Sequence, residues 1–188
     1  AATGDVYGRE LWRTTGEEDQ SYRTSDINPG GLNSNPEDLA VLSSNLYFTA
    51  NTPYGERAIY KTDGTLNNFT ELKIKIPEDL TEESENITFN TPENLKEAGG
   101  VIFYSATTTL VIRELVPKIV KEKDDDGNEK ETTTFQLKER NELFGRELWL
   151  TDSTNNGMKF VKDINTGQAS SSPNDFSSIN GLLYFSAD

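Results

Sequence analysis

Gly8-Arg9-Glu10-Leu11-Trp12 returns unchanged as Gly145-Arg146-Glu147-Leu148-Trp149. A shift of 137 residues superimposes positions 8–51 on 145–188 without a gap, and 17 of those 44 positions are identical. Beyond the pentapeptide they include Asp26-Ile27-Asn28, Gly30, Ser34, Pro36, Asp38 and Leu46-Tyr47-Phe48. A repeat this regular marks a supersecondary unit that cannot bury its apolar face alone and stacks on its own copies.

A third copy lies between the two. Gly55-Glu56-Arg57-Ala58-Ile59-Tyr60 answers to the pentapeptide with one extra residue, and Lys61-Thr62-Asp63-Gly64-Thr65 answers to Leu150-Thr151-Asp152-Ser153-Thr154. An aromatic follows each repeat's proline at the same interval: Pro36 to Tyr47, Pro92 to Phe103, Pro173 to Tyr184. The step from Gly8 to Gly55 is 47 residues, but from Gly55 to Gly145 it is 90. The excess lies around 76–91 and in a longer insertion between Ala106 and Phe144.

Within the first repeat, turn chemistry separates four short extended segments: 10–14, 22–27, 38–43 and 46–50. The last hairpin of the third repeat turns on Asn180-Gly181, a strong two-residue signal, and the middle repeat uses Ala98-Gly99-Gly100. No segment sustains a helical period, so the expected fold is all-β, built from four-stranded antiparallel β-propeller blades. The apolar pair 38–43 and 46–50 reads as inner strands, and 10–14 with 22–27 as outer ones. Residues 1–36 then carry the outer pair of a first blade and 37–91 a second blade. Residues 92–172 form a third with an inserted long hairpin at 107–144, and 173–188 are the inner pair of a next blade. A propeller usually has ~4–8 blades, so further repeats, or copies of the chain, are expected to complete a ring.

Composition narrows the function classes. With 18 basic and 32 acidic residues the net charge is −14, which repels phosphate backbones and anionic lipid, so neither nucleic acid nor a membrane surface is an expected partner. Cysteine and histidine are both absent, removing disulfides, thiolate metal sites and the commonest general base. No apolar run approaches the ~18 residues of a membrane span.

The set formed by Gly-Arg-Glu-Leu-Trp, Lys61-Thr62-Asp63-Gly64-Thr65, Val161-Lys162-Asp163-Ile164-Asn165 and the Leu-Tyr-Phe strand resembles the ELWxxDGT repeat family. The resemblance fails over 107–144 and is degraded at Thr14-Thr15-Gly16 and Ala58-Ile59-Tyr60. It implies a propeller in a large bacterial protein, secreted or attached to the cell surface, and it implies no catalytic residues.

Trp12, Tyr60 and Trp149 share one repeat position, which points to packing between neighbouring blades rather than ligand stacking. Glu10 and Glu147 recur in the same way. Catalysis needs one asymmetric pair of carboxylates, not a copy in each blade. Asp63-Gly64-Thr65 reads as a turn, with too few oxygens for calcium.

Asp124, Asp126 and Asn128 resemble the start of a calcium loop, yet the position where a bidentate Glu belongs is Phe135. No cofactor is expected, calcium at this tip being the one left open. The acidic loop residues Glu78, Asp79, Glu82, Glu83 and Glu85, together with Asp125 at the hairpin tip, are the expected partner contacts, because loops on a rigid scaffold are where such folds acquire partners. The expected function is a non-enzymatic extracellular or cell-surface scaffold or adhesion module, binding a protein or glycan through loops on one face. Two alternatives stand beside it: a structural subunit of a surface layer or filament, and a carboxylate-dependent glycosidase or lyase.

Overall fold

The computed structural model describes residues 7–72, 87–123, 129–152, 154 and 157–188. Twelve strands lie among them and no helix. In chain order they are β1 (Trp12–Thr14), β2 (Ser21–Arg23), β3 (Glu37–Leu42), β4 (Asn45–Asn51), β5 (Arg57–Thr62), β6 (Phe69–Glu71), β7 (Ile87–Ala98), β8 (Val101–Lys123), β9 (Glu129–Thr151), β10 (Met158–Lys162), β11 (Asn174–Ile179) and β12 (Leu182–Ser186). They form four sheets: β1-β2, β3-β4-β5-β6, β7-β8-β9-β10 and β11-β12. All the pairings whose register is defined are antiparallel.

The chain divides into two compact units. The first comprises Ala1–Lys75, Phe89–Thr108 and Leu143–Asp188. Within it the second sheet buries apolar side chains on both of its faces. Ala40, Leu42, Tyr47, Ile59 and Leu72 of the second sheet share a cluster with Leu95, Ile102, Tyr104, Ala106, Trp149 and Met158 of the third. The opposite face of the second sheet presents Phe48, Ala50 and Tyr60 to Leu11 and Ile27 of the first repeat. Phe48 and Tyr60 stack at 5.8 Å between ring centroids. Strand alternation puts neighbouring residues on opposite faces, so each repeat position has a fixed direction. The Leu11–Ile59–Leu148 position looks toward the following sheet, and the Trp12–Tyr60–Trp149 position toward the preceding one.

That direction corrects one expectation. Tyr60 and Trp149 pack between sheets as anticipated, but Trp12 is 53% exposed whereas Trp149 is 6% exposed. Trp12 occupies the face of β1-β2 against which no sheet lies among the described residues.

Turn chemistry sets the hairpins. Gly99-Gly100 and Asn180-Gly181 both carry positive φ at two successive residues, 62° and 83° in one and 52° and 76° in the other, which is the twist that tight hairpins require. Where each inner pair begins, Asp38, Asn94 and Asp175 have φ of 51°, 61° and 56°. Short Asp and Asn side chains tolerate this left-handed region. It accompanies the register shifts between Glu37 and Ala40 and between Asn174 and Ser177.

The second unit comprises Ile76–Thr88 and Thr109–Glu142. Its described part consists of the distal lengths of β8 and β9, which form an arm, and the first two residues of β7. β8 and β9 each run for 23 residues, so the inserted segment continues the repeat's own strands instead of starting new ones. Thr107-Thr108-Thr109 supplies β-branched residues at the junction, and such residues favour an extended backbone.

Candidate functional site

The two repeated glutamates are buried and fully engaged. Glu147 accepts the Ser171 N–H at 2.8 Å, the Ser171 hydroxyl at 2.6 Å and the Ile164 N–H at 2.9 Å. Glu10 does the same with the Ser34 N–H at 3.1 Å, its hydroxyl at 2.6 Å and the Ile27 N–H at 3.2 Å. Each carboxylate therefore pins the connection that leaves its own repeat. Successive N–H groups of Ser34 and Asn35 also converge on the Arg9 carbonyl, and those of Ser171 and Ser172 on the Arg146 carbonyl, all at 3.1 Å. The glycine preceding each arginine is required by closeness: a Cβ on Gly8 would overlap the Leu32 carbonyl oxygen, and one on Gly145 that of Ala169. Only glycine fits such an approach.

Two arginines grip the inner strands. The Arg57 guanidinium donates to the Thr49 hydroxyl at 2.7 Å, to Glu37 at 2.8 Å and to the Asn35 carbonyl at 3.2 Å. Arg146 repeats this with the Thr91 carbonyl at 3.1 Å and Glu93 at 3.2 Å. The aspartates of the Asp-x-Thr segments serve turns. Asp63 accepts from the Thr65 hydroxyl at 2.7 Å and its N–H at 2.9 Å, and Asp152 accepts from the Thr154 hydroxyl at 2.7 Å. These hydroxyl bonds hold both carboxyls below the usual aspartate range. The repeated side chains thus do structural work.

The residues expected to meet a cation or a partner, Asp124, Asp125, Asp126, Asn128, Glu78, Asp79, Glu82, Glu83 and Glu85, all lie outside the described residues. Among the described ones, no group of three or more carboxylates is placed to hold a metal ion, and no helix is long and apolar enough to cross a membrane. What the structure brings forward instead is the arm. Lys121 and Glu131 pair across it at 2.8 Å, and the Thr134 hydroxyl donates to the Lys118 carbonyl at 3.2 Å. Alternation from that ion pair puts Ile119 and Phe135 on the same face as the pair. Ile119 is 62% exposed and Phe135 67% exposed.

Sequence reading gave neither residue a role on the surface, because Val116-Pro117 and Val120 beside Ile119, and Thr132-Thr133-Thr134 before Phe135, read as ordinary strand composition. Their period-two spacing from the charged pair was the available signal. In the first unit, a groove of about 450 Å³ lies where the third and fourth sheets meet, lined by Asn94, Lys96, Asp175 and Phe176 among others. Comparison with protein-family models, with curated proteins and with solved structures returned no match.

Proposed function

We propose that the chain is a segment of a β-propeller, of the kind the ELWxxDGT resemblance implies, and that it serves as a non-enzymatic, extracellular or cell-surface binding module. The arm carries this reading. Two large apolar side chains stand exposed on one face of a two-stranded ribbon, flanked by an ion pair. Such a face costs solubility unless a partner covers it. Aromatic and aliphatic anchors ringed by charge are also how small interfaces concentrate their affinity. The stacked sheets support the reading in a second way, since their repeated carboxylates and guanidinium groups are consumed in holding the scaffold. The partner is a protein or glycan surface with an apolar patch.

Labelled protein would be titrated onto intact bacterial cells and onto immobilised surface glycans. The paired substitutions Ile119→Ser and Phe135→Ser are expected to weaken binding by about tenfold or more while leaving the near-ultraviolet circular dichroism unchanged. Equal binding by wild type and the double variant would remove the arm from the contact.

A further inference from the structure

The interface between the second and third sheets and that between the third and fourth use the same repeat positions, with different residues at two of them. Counting from the repeat prolines, Ala40 stands four residues after Pro36 and Lys96 four after Pro92. Leu95 stands three after Pro92, and Phe176 three after Pro173. Ala40 of the second sheet and Leu95 of the third lie in one buried apolar cluster. In the next interface those two positions are held by Lys96 and Phe176. A charged residue where the repeat otherwise buries a small apolar one breaks the local pattern, and such breaks are expected at functional or strained positions.

Strand alternation fixes where the two side chains point. Leu95 faces the second sheet, so its neighbour Lys96 faces the fourth. Ser177 and Tyr184 pair on the face of the fourth sheet turned away from the third, so Phe176 faces the third. The groove of about 450 Å³ lies here, lined by residues of β7 and β11, and its size falls within the about 300–1,000 Å³ of small-molecule sites. Both strands belong to complete hairpins, so strands added beyond β12 would not fill it. Lys96 is half-buried and forms no ion pair among the described residues, Asp175 of the same groove included. Phe185 braces Phe176 edge-to-face, with ring centroids 5.9 Å apart. Asn94 spans the interface: its Nδ2 donates to the Ser105 hydroxyl at 3.3 Å and to the Pro173 carbonyl at 3.4 Å, which leaves its Oδ1 as an acceptor. The Asp175 carboxylate is held by the Ser186 hydroxyl, which donates to it at 3.1 Å.

We propose that this groove is a saccharide subsite, taking a pyranose ring of a glycan. Its lining offers a donor-only ammonium at Lys96, an acceptor-only carboxylate at Asp175 and amide groups at Asn94 and Asn174. Vicinal hydroxyls both donate and accept, so a sugar satisfies such a mixed set at once. The Phe176 ring supplies an apolar surface for the C–H face of the ring. A phosphorylated ligand meets the Asp175 carboxylate and a net charge of −14, both of which repel it. A wholly apolar ligand would cover Lys96 and Asp175 without giving either a partner, which is costly. The site is separate from the arm and does not rest on the arm's contacts.

The methyl glycosides of glucose, galactose and mannose, and glucuronate, are each titrated into the isotope-labelled chain and followed by amide chemical shifts. At least one is expected to bind with a dissociation constant on the order of 1 mM, with shift changes centred on β7 and β11. Lys96→Ala combined with Phe176→Leu gives the third–fourth interface the residues that Ala40 and Leu95 supply to the second–third one. That variant should keep its fold by circular dichroism and bind the sugar at least about tenfold more weakly. Lys96→Met, which keeps the stem and removes the ammonium, should weaken binding severalfold. Absence of binding by every sugar in the set overturns the inference. So do shift changes centred on the arm, and so does an affinity that the double variant leaves unaltered. The readout comes from β7 and β11 alone, so this inference and the reading of the arm fail separately.

Discussion

Trp12 and Trp149 end the same five-residue sequence, yet one is largely solvated and the other lies in the core. Both are on the first outer strand of their repeat, and both point toward the sheet that precedes it. For Trp149 that sheet supplies Tyr47 and Ile59, and Phe160 adds an edge-to-face contact at 4.9 Å between centroids. For Trp12 nothing among the described residues occupies that side. Local sequence sets the direction of a side chain in such an array, and the neighbouring sheet sets its environment. Energetic weight therefore belongs to the interface between repeats, as expected for stacked units whose stability is a sum of nearest-neighbour terms.

The comparison has consequences of graded size. Trp149→Ala should be the most damaging, losing about 3–5 kcal/mol in urea unfolding through the cavity it leaves; a loss under about 1 kcal/mol would break the assignment of Trp149 to the inter-sheet core. Next come the glutamates, whose partners lie within their own repeat. Glu10→Gln and Glu147→Gln should each cost about 2 kcal/mol, because the amide replaces an acceptor with a donor facing N–H groups. Similar losses for the two would sharpen the contrast with the tryptophans, while a disparity as wide as theirs would erase it.

Tyr60, the middle member of the tryptophan position, adds a pH test. Burial, followed by the Glu71 and Glu10 carboxylates, raises its hydroxyl to about 12 from 10. Its folded-state value being the higher one, its contribution is present below pH 10 and is lost as pH rises toward 12. Tyr60→Phe should flatten part of that alkaline decline in a pH series of urea midpoints, and an unchanged slope would count against its burial. The smallest effect is expected at Trp12. In dilute solution Trp12→Ala should shift stability by no more than about 0.5 kcal/mol. Acrylamide should quench Trp12 in the Trp149→Phe protein far more strongly than Trp149 in the Trp12→Phe protein. Equal quenching would contradict the two environments.

Most of the strand order was legible from the repeat. The fixed interval from proline to aromatic located each inner hairpin, and the Gly99-Gly100 and Asn180-Gly181 turns confirmed where two of them reverse. The left-handed residues just before the prolines were not legible: Asn35, Thr91 and Ser172 have φ of 45°, 55° and 48°. A β-branched residue such as Thr91 rarely adopts that backbone, and the residue before proline favours an extended one. At Asn35 and Ser172 the conformation comes with N–H groups gathered onto a distant carbonyl, a tertiary event that no local pattern announces. The role of Glu147 was only half visible, since recurrence showed it to be structural but its partners Ile164 and Ser171 lie 17 and 24 residues away. As for the site, acidic clusters drew attention to loops, while Ile119 and Phe135 sit in stretches, Val116 to Val120 and Thr132 to Leu137, that read as plain strand.

The glutamate that pins its own repeat's exit carries an evolutionary implication. A gene duplication that copies one such cassette copies the fastening along with the strands, so the new segment arrives with its outgoing path already secured. The middle repeat has Ala58 where its siblings have Glu10 and Glu147, and its outgoing segment is about eight residues longer than theirs. Length drift is tolerated cheaply once a connection is released from a fixed anchor. The one repeat without the carboxylate is thus also the one whose exit has changed length.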